Sequence, residues 1–464
     1  PPDLQYLLGI AYQMDLEFDK ALTQFNGFKS GLGPKELGTY TKILEKKLYE
    51  CNNGKDLIKA PIRVFIDNLG TNVNTIYPEY CPVINADESV MFFTSCRDNT
   101  TGGGKDPNDH LYFEDIYKTS NTNDTWSSAI NPGKPLNSED HDATVGLSPD
   151  GQTLLIYKDD NGGDIYECVL DGNSWSKPDA MPKAINTKYH ESSAAFGPDG
   201  RTLYFVSDKP EGFGGRDIYM SKKNDKGKWG DAVNLGPVIN TEYDEEGVFM
   251  HPDGKTLYFS SQAHKTMGGF DIFKSVYENG KWSEPENIGY PVNTAGDDVF
   301  FVLSASGLHG YYSSAMKGGY GEKDIYVVTF LGNEKPLINN TEDNLIASLA
   351  KPVSATVIEP IVVIKSNQLT LLKGTIVDDK TSTPLKATIE LTDNSKNEVI
   401  ASFESNSSTG KYLVSLPSGV NYGIAVKADG YLFHSENFDI PAATGYNEVT
   451  KDIRMKKIEV GNKI

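Results

Sequence analysis

The chain has 464 residues, too many for one hydrophobic core, so roughly two to four domains are expected. Its net charge of −20 argues against nucleic acid or an anionic lipid surface as a partner. No apolar run approaches the length of a membrane-spanning helix, so no transmembrane segment is expected.

Residues 1–55 read as helical. Leu4, Leu8, Ala11 and Tyr12, then Phe18, Ala21, Leu22 and Phe25, fall at helical spacing, and Gly31-Leu32-Gly33-Pro34 ends the pair. Leu8, Gly9, Tyr12, Ala21 and Phe25 stand at the spacings of a tetratricopeptide repeat, in which small residues let two helices approach and aromatics fill the groove. A plain helical cap is the alternative. A third helix is expected over 35–51, with Leu37, Tyr40, Ile43, Leu44 and Leu48 on one face. The chain opens at Pro1 without an initiator Met or a signal peptide, and is read as a fragment or processed form.

Residues 60–331 are periodic. Asn-Thr or Asn-Ser recurs at Asn74, Asn137, Asn186, Asn240 and Asn293. Asp-Ile-Tyr/Phe recurs at Asp115, Asp164, Asp217, Asp271 and Asp324, at spacings of 49, 53, 54 and 53, and Trp126, Trp175, Trp229 and Trp282 share one phase. A period near 50, made of short strands and turns, predicts a β-propeller of four-stranded blades. Pro-Asp-Gly at Pro149, Pro198 and Pro252 supplies the tight reversal after each inner strand. The second strand is expected at Thr202–Ser207 and its equivalents, the third from Asp-Ile-Tyr, and the fourth after the tryptophan. Val64 to Gly70 reads as a fourth strand with no blade before it, and is expected to complete the last blade and close a five-bladed ring.

Residues 332–368 read as a linker, with a short helix expected over 344–350 and a strand over 357–364. Residues 369–457 carry strand patterns about ten residues apart, broken by Gly and Pro turns, and read as a β-sandwich. Residues 458–464 read as a tail toward a further domain. The fold class is therefore mainly β and multidomain: a helical hairpin, a five-bladed propeller and a C-terminal sandwich.

The carboxylates just after the Asn-Thr steps are the candidates for glycoside hydrolysis, which needs two at a set separation: Asp142, Glu191, Glu245, Glu246, Asp297 and Asp298. They recur at nearly one phase, whereas catalysis needs one or two in unlike surroundings, so a backbone-bonding role is favoured. Asp159-Asp160-Asn161-Gly162-Gly163-Asp164 looks like a calcium loop, but Gly212 to Asp217 and Met267 to Asp271 fill the same place as Gly-rich turns, and the full calcium-loop pattern with its distant bidentate Glu is absent. Cys51, Cys81, Cys96 and Cys168 lack a CxxC spacing, so zinc is not expected, and pairing of Cys81 with Cys96 is left open. There is no HExxH or GxSxG motif. The tryptophans, able in principle to stack on a sugar, are read as packing. No catalytic, cofactor or metal residue is assigned. Residues 97–111 are an insertion, placed either as a partner contact or as a disordered loop.

The repeat Asn-Thr…Pro-Asp-Gly-Lys-Thr-Leu-Tyr-Phe-Ser-Ser…Gly-Gly-Phe-Asp-Ile-Phe…Trp-Ser resembles the TolB-type periplasmic propeller repeat. Gly374 to Asp378, Ser408-Thr409-Gly410-Lys411-Tyr412 and Gly430-Tyr431 resemble the carboxypeptidase regulatory-like sandwich. The order of the three parts is similar to the PorE-type envelope lipoproteins of Bacteroidota. That resemblance implies an OmpA-like, peptidoglycan-binding domain after this chain and a lipid-bearing cysteine before it. It also implies a non-enzymatic periplasmic protein at the outer membrane. Its partners would be outer-membrane β-barrel or secretion proteins of the type IX secretion and gliding machinery. The alternatives are a glycan-binding or glycan-cleaving propeller and a TolB-like adaptor of another envelope system.

Overall fold

The computed structural model describes residues 2–107, 110–316, 318–332, 369–442 and 445–458. The helix and strand expected within 344–364, and most of the tail, lie outside them. Three helices open the chain: α1 (Pro2–Met14), α2 (Phe18–Gly31) and α3 (Pro34–Leu57). The last runs six residues past the expected end, because no breaker intervenes before Leu57 and Gly54 has a packing role. A Cβ on Gly54 would collide with the Phe18 ring, and one on Gly9 would lie 2.6 Å from the Phe25 ring. Glycine at these two positions lets the helices close on the buried aromatics Phe18, Phe25 and Phe28.

Residues 64–330 form five antiparallel sheets. The third is typical: Glu191–Phe196, Thr202–Ser207, Asp217–Lys222 and Val233–Asn234 pair in that order. The inner strands Glu79–Ile84, Asp142–Leu147, Glu191–Phe196, Glu245–Met250 and Val299–Leu303 each neighbour the next, and the last neighbours the first. The sheets thus close a ring, which is a β-propeller. Third strands begin at the five Asp-Ile-Tyr/Phe motifs, as the repeat predicts. Trp126, Trp175 and Trp282 lie in two-residue strands that hairpin onto the third strand. The short fourth-strand pairings at Ile130, Asp179–Ala180, Val233–Asn234 and Glu286–Asn287 follow the tryptophans as the repeat predicts.

The tryptophans work between sheets. Trp126 meets Tyr311 of the fifth sheet edge-on at 5.7 Å, Trp175 meets Phe92 of the first at 5.6 Å, and Trp282 meets Tyr204 of the third at 6.3 Å. Buried aromatic pairs of this kind stabilise beyond the area they bury.

Val64–Asn68 pairs with Asp324–Phe330 through five registered residues, Val64 with Phe330 to Asn68 with Tyr326. The first strand of the ring is therefore the outer strand of its last sheet, and joins residues about 260 apart in sequence. Ile62, Val64 and Ile66 pack into the fifth sheet's core, while Phe65 points outward at 61% exposure.

Residues 369–455 form two four-stranded sheets. Leu369–Asp378 pairs antiparallel with Lys411–Pro417 and parallel with Asn447–Thr450 and Ile453–Met455. Thr388–Asp393 pairs with Glu398–Glu404 and Asn421–Lys427, and the latter with His434–Asp439. Alternate residues Ile389 and Leu391, and Tyr422, Ile424 and Val426, share the core between the sheets.

The pleat of the closing strand sets a test. Ile66→Asp is expected to lower stability by about 2–4 kcal/mol, since it buries a charge at the ring's seam. Phe65→Asp, one residue away on the outer face, is expected to change it by less than about 0.5 kcal/mol. Urea denaturation of both variants measures the difference.

Candidate functional site

Antiparallel pairing puts the start of each inner strand, the end of the second and the start of the third on one face of the ring. The Asn-Thr steps and the Gly-rich loops lie there. The Pro-Asp-Gly turns lie on the other face.

On the first face one network recurs. Asn240 lies at 1% exposure; its Oδ1 accepts from the Ile218 N–H at 2.8 Å and its Nδ2 donates to the Ile218 carbonyl at 2.9 Å. Asn74, Asn137, Asn186 and Asn293 do the same to Ile325, Ile116, Ile165 and Ile272. Each asparagine completes the third strand of the sheet before it. The residue after it belongs to the next sheet: the Thr241 N–H and Oγ1 donate to Glu245 at 3.0 and 2.8 Å, and Ser261 Oγ donates to the same carboxylate at 2.8 Å.

This fixes the role of four of the six carboxylates read as hydrolytic candidates. Asp142, Glu191, Glu245 and Asp298 are buried, each accepting from the Ser or Thr four residues before it. Glu79, not among the six candidates, holds the equivalent place in the first sheet, accepting from the Thr75 N–H and Oγ1. Burial pushes Glu245 up to about 7. Burial also raises Asp298 well above the carboxylate range, with repulsion from Asp271 adding to it. Asp297 accepts from the Phe270 N–H at 3.0 Å. Asp115, Asp217, Asp271 and Asp324 cap the Gly-rich loops: Met267 and Gly268 N–H donate to Asp271 at 2.9 and 3.1 Å. In the loop that looked like a calcium site, Asn161 Nδ2 donates to Asp164 at 3.0 Å and Tyr166 Oη to Asp160 at 2.8 Å.

Glu246 differs. It accepts from Ser192 Oγ at 2.7 Å and from Arg216 Nη1 at 2.5 Å, across the third and fourth sheets. Across the first and second sheets, Glu114 accepts from Tyr80 Oη and lies 3.0 Å from His141 Nδ1. His141 Nε2 lies 3.1 Å from Asp106 in the 97–111 insertion. Tyr80, Ser192 and Glu246 are second residues of inner strands, so both groups stand on the first face of the ring. Burial works to raise Glu114, but hydrogen bonds from His141 and Tyr80 outweigh it and hold the carboxyl low. The same bond with Glu114 is the largest influence on His141; burial opposes it, Asp106 reinforces it, and the imidazole rises to about 9. His141 is therefore a cation at neutral pH, clamping the insertion to the ring. Within the described part of the insertion, Asp106 N–H donates to the Leu111 carbonyl and Phe113 N–H to that of Gly104. Sequence reasoning missed Glu114, Arg216 and His141. The available signal was variation at fixed phase, since the residue before Asp-Ile reads Glu114, Gly163, Arg216, Phe270 and Lys323 in successive copies.

Between the inner strands the channel is narrow. Its cavity, about 30 Å³, is walled by apolar residues of the inner strands, including Val83, Val145, Ala194, Val248 and Val302. All four cysteines are buried free thiols, and burial pushes Cys81 up to about 12, so it is not a nucleophile at neutral pH. Among the described residues no group of three or more His, Cys, Asp or Glu is arranged to hold a metal ion.

Each face also carries another part of the molecule. On the first, Met267 at the tip of the fourth sheet's Gly-rich loop is fully buried in the helical core. Asn53 Nδ2 donates to the Thr266 carbonyl at 2.9 Å and Gln13 Nε2 to that of Met267 at 3.3 Å. On the second, Ala86 and Ala305 share a buried cluster with Leu369, Leu371 and Leu413 of the sandwich. Asn406 Nδ2 donates to the Gly172 carbonyl at 2.9 Å. Gly172 has φ +62°, and a Cβ there would collide with Ser408 Oγ.

Strand order and ring closure thus define a β-propeller flanked by a helical hairpin on one face and a β-sandwich on the other. No protein-family model matches the chain, and no curated protein matches its sequence. Among solved structures it is similar to TolB from Acinetobacter baumannii, at 13% identity over 62% of this chain and 69% of that one, with a TM-score of 0.33. It is similar to an α-L-arabinofuranosidase from Lactobacillus brevis at 14% identity over 59% and 99%, TM-score 0.37. A further glycoside hydrolase is similar at 9% identity over 62% and 97%, TM-score 0.41. The ring rests on its own strand pairing rather than on these likenesses.

Two measurements follow. Asn240→Ala removes two strand hydrogen bonds and leaves buried backbone groups unpaired, so a loss of about 2–4 kcal/mol is expected in urea denaturation. His141 is expected to titrate near 9 by NMR. Because its folded pKa lies above the ordinary value of about 6.5, its contribution is complete below that pH and disappears as pH rises through 9. Glu114→Gln should bring the titration down toward 6.5, and cleavage of the 97–111 loop by a protease should increase with it.

Proposed function

We propose that the chain is a non-enzymatic scaffold of the bacterial periplasm, built on a five-bladed TolB-type propeller with a tetratricopeptide-like hairpin and a regulatory-like sandwich. In this reading it links an outer-membrane complex of the type IX secretion and gliding machinery to the cell wall through protein–protein contacts. A peptidoglycan-binding domain outside this chain would reach the wall. The observation that carries the reading is the fate of the repeated carboxylates: four of the six acids are committed to backbone and hydroxyl donors. What the ring then presents is its two faces, and both already grip other protein parts through loop tips and turn carbonyls. The repeat resemblance supports the envelope assignment.

A second reading has its own observation. Glu114 with Tyr80 and His141, and Glu246 with Ser192 and Arg216, put carboxylates, hydroxyls and cations on one face of the ring, the groups a glycan-binding propeller would use.

Crosslinking and mass spectrometry of the full-length protein, purified from its own envelope in mild detergent, separates the two. The scaffold reading expects outer-membrane barrel or secretion proteins crosslinked to the ring or the helices. Recovery of the protein alone, together with glycan binding abolished by Glu246→Gln, would overturn it in favour of the second.

A further inference from the structure

The ring's near-symmetry makes the docked helices informative about its open positions. At the tip of each Gly-rich loop, Phe213, Met267 and Tyr320 occupy equivalent places in the third, fourth and fifth sheets. Met267 is 0% exposed because the helical hairpin sits on it, whereas Phe213 is 50% exposed. Beside Phe213 lies a groove of about 470 Å³ between the third and fourth sheets. Its apolar wall includes Phe213, Pro237, Val238 and Tyr243. Its polar wall holds Glu242, Glu284 and His264. Burial lowers the His264 pKa, and its Nε2 lies 3.1 Å from the Ile239 carbonyl, so the imidazole is neutral and the groove keeps its negative charge.

This groove already receives lysines along one edge. Lys42 Nζ on α3 donates to Glu242 at 2.8 Å, and the ammonium groups of Lys42 and Lys46 lie 5.2 and 4.9 Å from the centre of the Tyr243 ring. Carboxylate and aromatic face together are the chemistry that holds an ammonium ion. The rest of the groove is lined by a second aromatic ring, Phe213, and a second carboxylate, Glu284.

We propose that the groove between Phe213 and Glu284 is a docking site for a partner protein's lysine-bearing amphipathic segment, continuing the row of contacts that α3 begins. Apolar side chains of the segment fill the space against Phe213, Pro237 and Val238, and its lysines meet Glu284 and the aromatic rings. At about 470 Å³ the groove lies within the size range of ligand-binding pockets. The proposal rests on the scaffold reading only in requiring a protein occupant.

The test uses a fluorescein-labelled amphipathic peptide of Lys and Leu, with a Glu and Leu peptide as its charge-reversed control, read by fluorescence anisotropy on the whole protein. Phe213→Ser and Glu284→Lys alter exposed side chains and should leave the fold intact, which circular dichroism checks. Glu398→Lys, on the exposed edge of the sandwich, makes the same charge change elsewhere. The Lys/Leu peptide is expected to bind the unaltered protein, and both groove variants to weaken it about tenfold or more, while Glu398→Lys does not. Equal weakening by Glu284→Lys and Glu398→Lys would mean attraction to the net charge alone and would overturn the site. So would unchanged binding by Phe213→Ser, or no binding at all. If envelope partners are still captured by groove variants at full yield, the groove fails while the scaffold reading stands.

Discussion

The structure depends on an asparagine side chain acting as a piece of β-strand. Its amide presents one donor and one acceptor in the geometry of a peptide group, so it can satisfy both backbone groups of an isoleucine at the start of a third strand. The following Thr or Ser turns the other way and binds the carboxylate opening the next sheet. Two consecutive residues therefore belong to two different sheets. The bond is buried, where losing one partner leaves the other unsatisfied, and this is why the step is repeated so faithfully. The tryptophans add an apolar counterpart farther out, again across sheet boundaries rather than within them.

A ring held this way has two unlike faces. One gathers the Asn-Thr steps, the acids and the Gly-rich loops; the other gathers Pro-Asp-Gly turns with small apolar residues. The helices use the first through amide donors to loop carbonyls and a buried methionine. The sandwich uses the second through an apolar cluster and a glycine close approach. The variable residues before Asp-Ile and after each carboxylate stand on this first face, where neighbouring copies meet. Their divergence from copy to copy produces charged bridges such as Arg216 to Glu246 without disturbing the ring.

Much of the fold was legible because its signals are short-range. The Thr241-to-Glu245 bond spans four residues and the Asn240-to-Asn234 bond six, so turn chemistry and spacing mark each sheet in the sequence. The closing strand was readable because Val64 to Gly70 carries the end of a repeat without its beginning. The two-residue strands at the tryptophans were not, since so few residues show no alternation. Nor was the clamp at His141, whose partners Glu114 and Asp106 lie 27 and 35 residues away and meet only across a sheet boundary.

The sequence by itself determined the periodic β-architecture, the start of every third strand and the seam of the ring, through local hydrogen-bonding and turn preferences. The tertiary structure alone decided which loop seats the helices, which turns seat the sandwich and which groove stays open. Those choices join residues such as Lys42 and Glu242, 200 positions apart, or Asn406 and Gly172, 234 apart. Nothing in either local segment encodes such a contact; it exists only once ring closure has fixed both faces in space.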